Sequence, residues 1–571
     1  MKKTIMKFIA AAVACVSSVL TLSASPVDPS YKVAWAEKFG SFSSSACLFG
    51  MDKAGNFYVC GYWSSSWNAP ALTIGNQTLT NRSVYDATNP YSQLFDTFVA
   101  KFSPAGELDW VRQIGGNGAD EVIKMSVDNA ENVYLTGYTS STNCLVGTNQ
   151  ISTVGGEDFF IAKYDSQGNA LWVRQAGGSG YEVGTGLDVD PQGNVFVAGT
   201  FNSPSVAFGT NILNFSGSNS NQPASFLAKY NASGDLIWAR SVSDQSYAYP
   251  INILGTAFPI IKVNHQGHIV LAGSFQGAVD LGGMTLTNSD VATSQASFIA
   301  NYDEMGNLIW ARQTFTGIYA CNTALAIDAQ DNIYDAGYFC RSTVSLAGIV
   351  HTNQGFPVGD SFLTKYDPAG NLSWSSFVTG TADESISNIS IDGSGNPYIF
   401  GYSRSSVTTF GIMAVTNQGA YFPNVDDSTL VAKYAPDGNI LWARTMASTS
   451  LENYGSGLVV DNLGNIFVAG NYMLGGYTTS FTFGEVTLPV STYSSGYFLA
   501  KINGPMLSAS SSGNQLTLSW PTNAVGLHLE GAASLNGPWS ASANAPTVTA
   551  DQNSVSVDAS SGSQFFRLNG P

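Results

Sequence analysis

The stretch 189–199 reads VDPQGNVFVAG, and its interpretation decides the fold. An Asp, a Gly and an Asn within five residues look like part of a calcium loop. Such a loop needs several more oxygens and a late Glu. Here only Asp190 and Asn194 match, so the stretch reads as a tight turn that opens a β-strand. In that turn Asp bonds its own backbone and Gly takes positive φ.

Relatives of this stretch recur along the chain: MDKAGNFYVCG from Met51, VDNAENVYLTG from Val127, VNHQGHIVLAG from Val263, IDAQDNIYDAG from Ile327, IDGSGNPYIFG from Ile391 and VDNLGNIFVAG from Val460. A second element follows each copy, as in FFIAKYDSQGNA from Phe159 and SFLTKYDPAGNL from Ser361. A third carries a Trp, from Trp35 through Trp110, Trp172, Trp238, Trp310 and Trp374 to Trp442, with a period of about 68 residues. Each period supplies four short alternating strands. Seven such units predict an all-β chain folded as a seven-bladed β-propeller with four-stranded blades. The ends are out of phase. VAWAEKF at 33–39 has no FLAKY-type strand before it, and YFLAKI at 497–502 has no Trp strand after it. VAWAEKF is therefore expected as the outer strand of the blade that holds YFLAKI, so that N- and C-terminal strands close the ring.

These residues resemble the bacterial β-propeller repeat called SBBP, over residues 31–504. The resemblance implies a propeller and an extracytoplasmic location, without fixing an activity. Glu131 and Asp331 depart from it by replacing the turn Gly, and Asn264 by replacing the turn Asp.

The flanks differ. Residues 1–24 read as a signal peptide, with Lys2, Lys3 and Lys7 before an apolar core. Residues 505–515 form a Ser-rich linker. Residues 516–571 read as a C-terminal β-module, sandwich-like, with Trp520, Trp539, Phe565 and Phe566 as its core. No other apolar run is long enough to cross a bilayer. Only 11% of the 571 residues are charged, and the net charge is −17. An acidic surface repels phosphate backbones, which argues against nucleic acid. Glycans, extracellular proteins and divalent cations remain compatible partners, and the oligomeric state is open.

Three sets of residues are candidates for function. Asp120, Glu182 and Glu384 each lie eight residues before a turn Asp, and Glu452 lies nine before. At the entry of the innermost strands they would gather at one channel mouth, where they could hold a cation such as calcium or stay hydrogen-bonded in loops. No cofactor is required by any motif. The long connections carry aromatics, among them Trp63, Trp67, Tyr85, Tyr91, Tyr421 and Phe422, which either bind ligand or pack small extra hairpins onto the blades. Among the cysteines, Cys47 with Cys60 and Cys321 with Cys340 flank turns and are candidate disulfides. If Met51 faces Asn56, Cys47 faces Cys60. Cys321 and Cys340 are diagonal. His265 and His268 form H-x-x-H in a turn, a weak metal signal.

The leading expectation is a secreted or cell-surface scaffold that binds glycan or protein without catalysis, through its long-loop face. The alternatives are a polysaccharide lyase or hydrolase using the carboxylates, and a purely structural surface protein.

Overall fold

Among the residues that the computed structural model describes, every regular element is a β-strand. The structure describes residues 14–15, 33–39, 48–64, 71–83, 94–214, 223–243, 259–288, 295–317, 321–340, 342–346, 349–353, 358–416, 428–446, 452–461, 464–473, 480–483, 486–489, 495–503, 508–512, 515–521, 528–533, 538–549, 552–558 and 564–569. Among these no helix is long and apolar enough to cross a membrane.

Among the described residues seven sheets share one plan of four antiparallel strands, and in two of them the outer strand also pairs with the small hairpin of the next repeat. They are numbered here by their first strands: Leu48–Met51, Asp120–Val127, Glu182–Val189, Ile260–Val263, Cys321–Ile327, Glu384–Ile391 and Glu452–Val460. In sheets 1 to 6 the four strands follow one another in sequence. Sheet 7 takes its fourth strand from the other end of the chain. Val33–Phe39 pairs with Ser495–Ile502, with Trp35 opposite Lys501. Each first strand packs beside those of the neighbouring sheets, and that of sheet 7 packs beside that of sheet 1. The Tyr497 hydroxyl also joins sheet 7 to sheet 1, donating to Tyr62 O at 2.7 Å and accepting from Tyr62 N at 3.1 Å.

The repeat's sequence signature is explained by what its residues touch. In VDPQGNVFVAG the Asp190 carboxylate accepts from Gln192 N, Asn194 N and Asn194 Nδ2 at 2.7–3.0 Å. Gly193 has φ 82°. Asp190 N bonds Asn194 O, so three residues form the loop, a type I turn closed by a left-handed residue. Both carboxylate oxygens are used by the turn itself. Glu131 and Asp331 adopt the same conformation at φ 63° and 60°, so the turn survives the loss of Gly at a cost in strain. The Lys of the FLAKY-type strand returns to this turn. Lys433 Nζ lies 3.1 Å from Asp392 Oδ2 and over the Tyr398 ring. Lys365 with Asp328 and Lys101 with Asp52 repeat the arrangement.

The Trp residues tie each sheet to the next. The Trp310 ring lies on Gly370, where an added Cβ would come within 2.8 Å of it, and Trp310 Nε1 donates to Pro368 O at 3.2 Å. Trp110, Trp172, Trp238 and Trp374 make the same bond to the following turn. The second-strand Gly has a different cause. The first strand of sheet 3 bulges at Thr185, and a Cβ on Gly199 would lie 2.3 Å from Val183 O. Sheets 2, 5, 6 and 7 bulge at the matching place.

Each connection between second and third strands contains a small hairpin. In sheet 3 its halves are Ser205–Phe208 and Asn211–Asn214, which bury Val206, Phe208 and Leu213. The first half packs on the outer strand of sheet 2 and the second on that of sheet 3. Such hairpins clamp neighbouring sheets at their outer edges and cover strand edges that would otherwise invite pairing.

Two further sheets lie at the C-terminal end. One is Ser508–Ser512, Gln515–Pro521, Gln552–Asp558 and Thr547–Thr549; the other is His528–Ala532, Phe565–Asn569, Ser540–Ala541 and an edge strand Ala14–Cys15, which belongs to the stretch read above as a signal peptide and would leave with it. Leu516, Leu518, Trp520, Leu529, Val555, Phe566 and Leu568 form their shared core. Trp539 and Phe565 are half-buried.

The expected disulfides are corrected by register. The three-residue loop puts Met51 opposite Phe57, so Leu48 rather than Cys47 faces Cys60. Cys47 itself lies outside the described residues. Cys321 faces Tyr338, and Cys321, Tyr338 and Cys340 share a small buried cluster in which both cysteines are thiols.

Candidate functional site

The predicted acidic series occupies the entry of the first strands, but its members do not meet. Asp120, Glu182 and Glu384 are fully buried, each in a different junction between sheets. Asp120 accepts from Gly116 N at 2.8 Å and Ser141 Oγ at 2.6 Å, and from Thr139 Oγ1. Glu182 accepts from Gly178 N at 2.7 Å. Glu384 accepts from Ser403 Oγ at 2.9 Å. The donors come from the loop that crosses between sheets and from the end of the second strand. Asp120 and Glu182 thus fasten the crossing loop to the strand it enters, and Glu384 ties the start of its strand to the end of the next. Among the described residues no group of three or more His, Cys, Asp or Glu is placed to hold a metal ion. Glu452 begins the first strand of sheet 7, and its side chain lies outside the described residues.

Each of these acids has a second carboxylate beside it that the sequence reading missed. Asp158 and Asp360 start the third strands of sheets 2 and 5, Asp96 is the second residue of that of sheet 1, and all three are fully buried. Each precedes its partner acid by 24 residues, a regularity visible in the sequence. Arg82 N and the Gln113 side chain hold Asp96. Val154 N and the Gln175 side chain hold Asp158, at 2.8 and 2.7 Å. Both glutamines stand three residues after the Trp of their strand. In sheet 5 that position is Phe377, and His351 takes over. Its ring stacks on Phe377 at 4.1 Å, and its Nε2 lies 3.0 Å from Asp360 Oδ2.

Burial dominates the electrostatics of these pairs. It pushes Asp96 up to about 6, Glu182 up to about 7 and Glu384 up to about 8, and it raises Asp120 and Asp360 too. Neighbouring carboxylates add to the rise: Asp120 for Asp96, Asp158 for Glu182, Asp360 for Glu384. Among the described residues, one oxygen each of Asp96, Asp158, Glu182, Asp360 and Glu384 has no hydrogen-bond partner. Two buried acids side by side favour the protonated form of at least one.

The aromatics divide. Trp63 is buried against Leu72 and Ile74 of the first small hairpin, so it is a packing residue rather than an exposed ligand contact. Phe201 and Tyr472 are buried likewise. Trp67, Tyr85, Tyr91, Tyr421 and Phe422 lie outside the described residues. On the opposite face, both short turn types meet in a cavity of about 430 Å³ that includes Asp128, Asp190, Lys163, Ala232 and His265. His265 Nδ1 is 2.7 Å from Asp331 Oδ1, which accounts for that histidine without a metal.

The SBBP β-propeller repeat matches residues 109–143 and 171–204. An uncharacterized WD repeat-containing protein of Acanthamoeba polyphaga mimivirus is 22% identical over 505 residues, covering 77% of this chain and 36% of that protein. The chain thus spans about a third of the length of this relative. Among solved structures, a puromycin hydrolase is similar at a TM-score of 0.39 and 10% identity, over 83% of this chain and 58% of that one. The polysaccharide lyase Uly1 is similar at a TM-score of 0.35 and 10% identity, over 83% and 99%. The chain is all-β and carries the SBBP β-propeller repeat.

Proposed function

We propose that this protein is an exported, non-catalytic binding scaffold for glycan or extracellular protein. In this reading the seven sheets are the blades of one closed propeller, and the C-terminal sheets form a separate sandwich-like module. The ring of packed first strands and the pairing of Val33–Phe39 with Ser495–Ile502 support closure. The observation that carries the functional reading is the burial of Asp120, Glu182 and Glu384 behind backbone amides and hydroxyls. A glycosidase or lyase needs its acid and base within reach of the substrate, and these three are used to hold the sheets together. The connections between second and third strands are the segments free to differ from blade to blade, and loops on a rigid scaffold are where binding residues concentrate. Tyr421 and Phe422 belong to one such connection.

A glycan array and a panel of extracellular polysaccharides test this on the same preparation. Saturable binding without product release, lost in Tyr421→Ala/Phe422→Ala, is the expected result. Product release by the wild type that disappears in Glu182→Gln or Glu384→Gln would overturn it in favour of the lyase or hydrolase.

A further inference from the structure

Two residues after the Trp, the outer strands of sheets 1, 2, 3, 4 and 6 carry Arg112, Arg174, Arg240, Arg312 and Arg444. Arg112, Arg174, Arg240 and Arg312 each lie over the Trp of their own strand, with the guanidinium carbon 5.4–5.8 Å from the ring centre. Their nitrogens reach the turn of the following sheet. Arg112 Nε donates to Gly168 O at 2.8 Å and its Nη2 to Gln167 O at 2.9 Å. Arg174 Nη2 donates to Ser233 O at 3.2 Å, and Arg240 Nη1 to Asn307 Oδ1 at 3.1 Å. Sheet 7 has Glu37 at this position, and its side chain lies outside the described residues.

Sheet 5 has Ser376 there. A cavity of about 360 Å³ opens beside it, lined also by Gly438 and Asn439 from the turn of sheet 6. These two are the counterparts of Gly168 and Asn307, to which the arginines of sheets 1 and 3 bond. The ring for a cation is in place too: Trp374 lies on Gly438, where an added Cβ would come within 2.6 Å of it. Ser375 Oγ, also at the cavity, is buried and has no hydrogen-bond partner among the described residues. Val350 and Ile412 stand at the rim, 65% and 96% exposed. Asp437 replaces Gln167 in this turn and adds a carboxylate beside it. The acceptors and the ring of the repeated arginine clamp are thus present, and the arginine is not.

We propose that this cavity receives an arginine side chain from an extracellular protein partner, in the place that Arg112 or Arg240 takes within the chain. A planar guanidinium matches carbonyls spaced for a fork and stacks on a Trp face, which an ammonium does less well. The net charge of −17 draws a cationic side chain towards the surface. Exposed Val350 and Ile412 offer apolar contact to the chain that carries the arginine, which favours a protein over a small molecule. The site uses neither the buried carboxylates nor Tyr421 and Phe422, so it stands or falls independently of the scaffold reading.

Saturation-transfer NMR of the full chain with acetyl-Gly-Arg-Gly-amide and acetyl-Gly-Lys-Gly-amide tests the site. The wild type should bind the arginine peptide saturably, at least about fivefold more tightly than the lysine peptide. This reading needs no variant. Ser376→Arg rebuilds the clamp of the sister sheets within the chain. It should abolish binding of the arginine peptide and raise the melting point. No saturable binding of the arginine peptide by the wild type, or equal binding of the lysine peptide, would overturn the site. So would undiminished binding in Ser376→Arg, or a lowered melting point of that variant, which would mean that the cavity does not fit a guanidinium.

Discussion

Replacing Glu384 with Gln should make the fold far less sensitive to alkaline pH. Glu384 is fully buried, with Ser403 Oγ on Oε1 and no partner on Oε2. Burial pushes its carboxyl from 4.5 up to about 8, and Asp360 and Asp383 add to the rise. Below about pH 4.5 folded and unfolded chains both hold the proton, and the contribution to stability is fully present. As pH rises from there towards 8, the unfolded chain releases the proton and the folded chain keeps it. Stability therefore falls by about 1.4 kcal/mol per pH unit, on the order of 4 kcal/mol by pH 8. Gln has the same shape and no such titration. At about pH 5 it should cost about 1 kcal/mol for an imperfect hydrogen bond. Near pH 8 it should leave the variant the more stable by on the order of 3 kcal/mol. Urea midpoints followed by tryptophan fluorescence at about pH 5, 6, 7 and 8 would show the two proteins crossing. Titrations of groups that do not interact with Glu384 are common to both and cancel in the difference; removing its charge also lets Asp360 ionise more easily and eases the repulsion on Asp383, which acts in the same direction. Parallel midpoints across the range would refute the argument, because they would mean that Glu384 ionises as easily folded as unfolded.

Two further outcomes follow from the packing. Trp310→Ala removes a ring that is buried on Gly370 and a bond to Pro368 O. It should lower stability by about 3–5 kcal/mol, measured by urea unfolding, whereas Trp310→Phe should recover most of that loss. Asp335 is fully buried, pushed up to about 8 by burial, and meets only the amide of Asn322 at 2.8 Å where other repeats carry apolar residues. The double variant Asp335→Val/Asn322→Ile should raise the melting point, by the equivalent of about 1–4 kcal/mol; a fall would show that this polar pair is required for packing.

Repeat length, strand count and turn chemistry were legible because they rest on local rules. Asp190 and Gly193 behave as a turn needs, and even Glu131 and Asp331 hold the left-handed conformation. A single residue of register was not legible. Met51 faces Phe57 rather than Asn56, and that shift moves Leu48 into the place expected for Cys47. The small hairpins were anticipated in the long connections, but their role as clamps depends on which outer strands they meet, which is tertiary information. The acidic series was found by its spacing, and of its two expected surroundings Asp120, Glu182 and Glu384 have the hydrogen-bonded one, without the gathering at one mouth. Asp120, Glu182 and Glu384 look like ligands in a line of text, yet in the fold they meet amides of the crossing loop or hydroxyls at the end of the second strand. Asp96, Asp158 and Asp360 could have been read from their fixed distance to those acids. The exchange of Gln for His351 on Phe377 could not, because the two residues come from different strands.

The pairing of Trp35 with Lys501 spans 466 residues of chain and has a bearing on biosynthesis. Sheets 1 to 6 draw their four strands from one continuous segment and can assemble as that segment leaves the ribosome. Val33–Phe39 is made early and waits for its partner. At translation rates of about 5–20 residues per second the wait is roughly half a minute to a minute and a half. Throughout it the strand VAWAEKF has an unsatisfied edge. Glu37 and Lys38 within it are the kind of charged residues that discourage an exposed edge from pairing with a stranger. The last sheet to finish is therefore the one that commits the molecule, and a nascent chain stalled before Ser495 would display every other sheet with its two ends still apart.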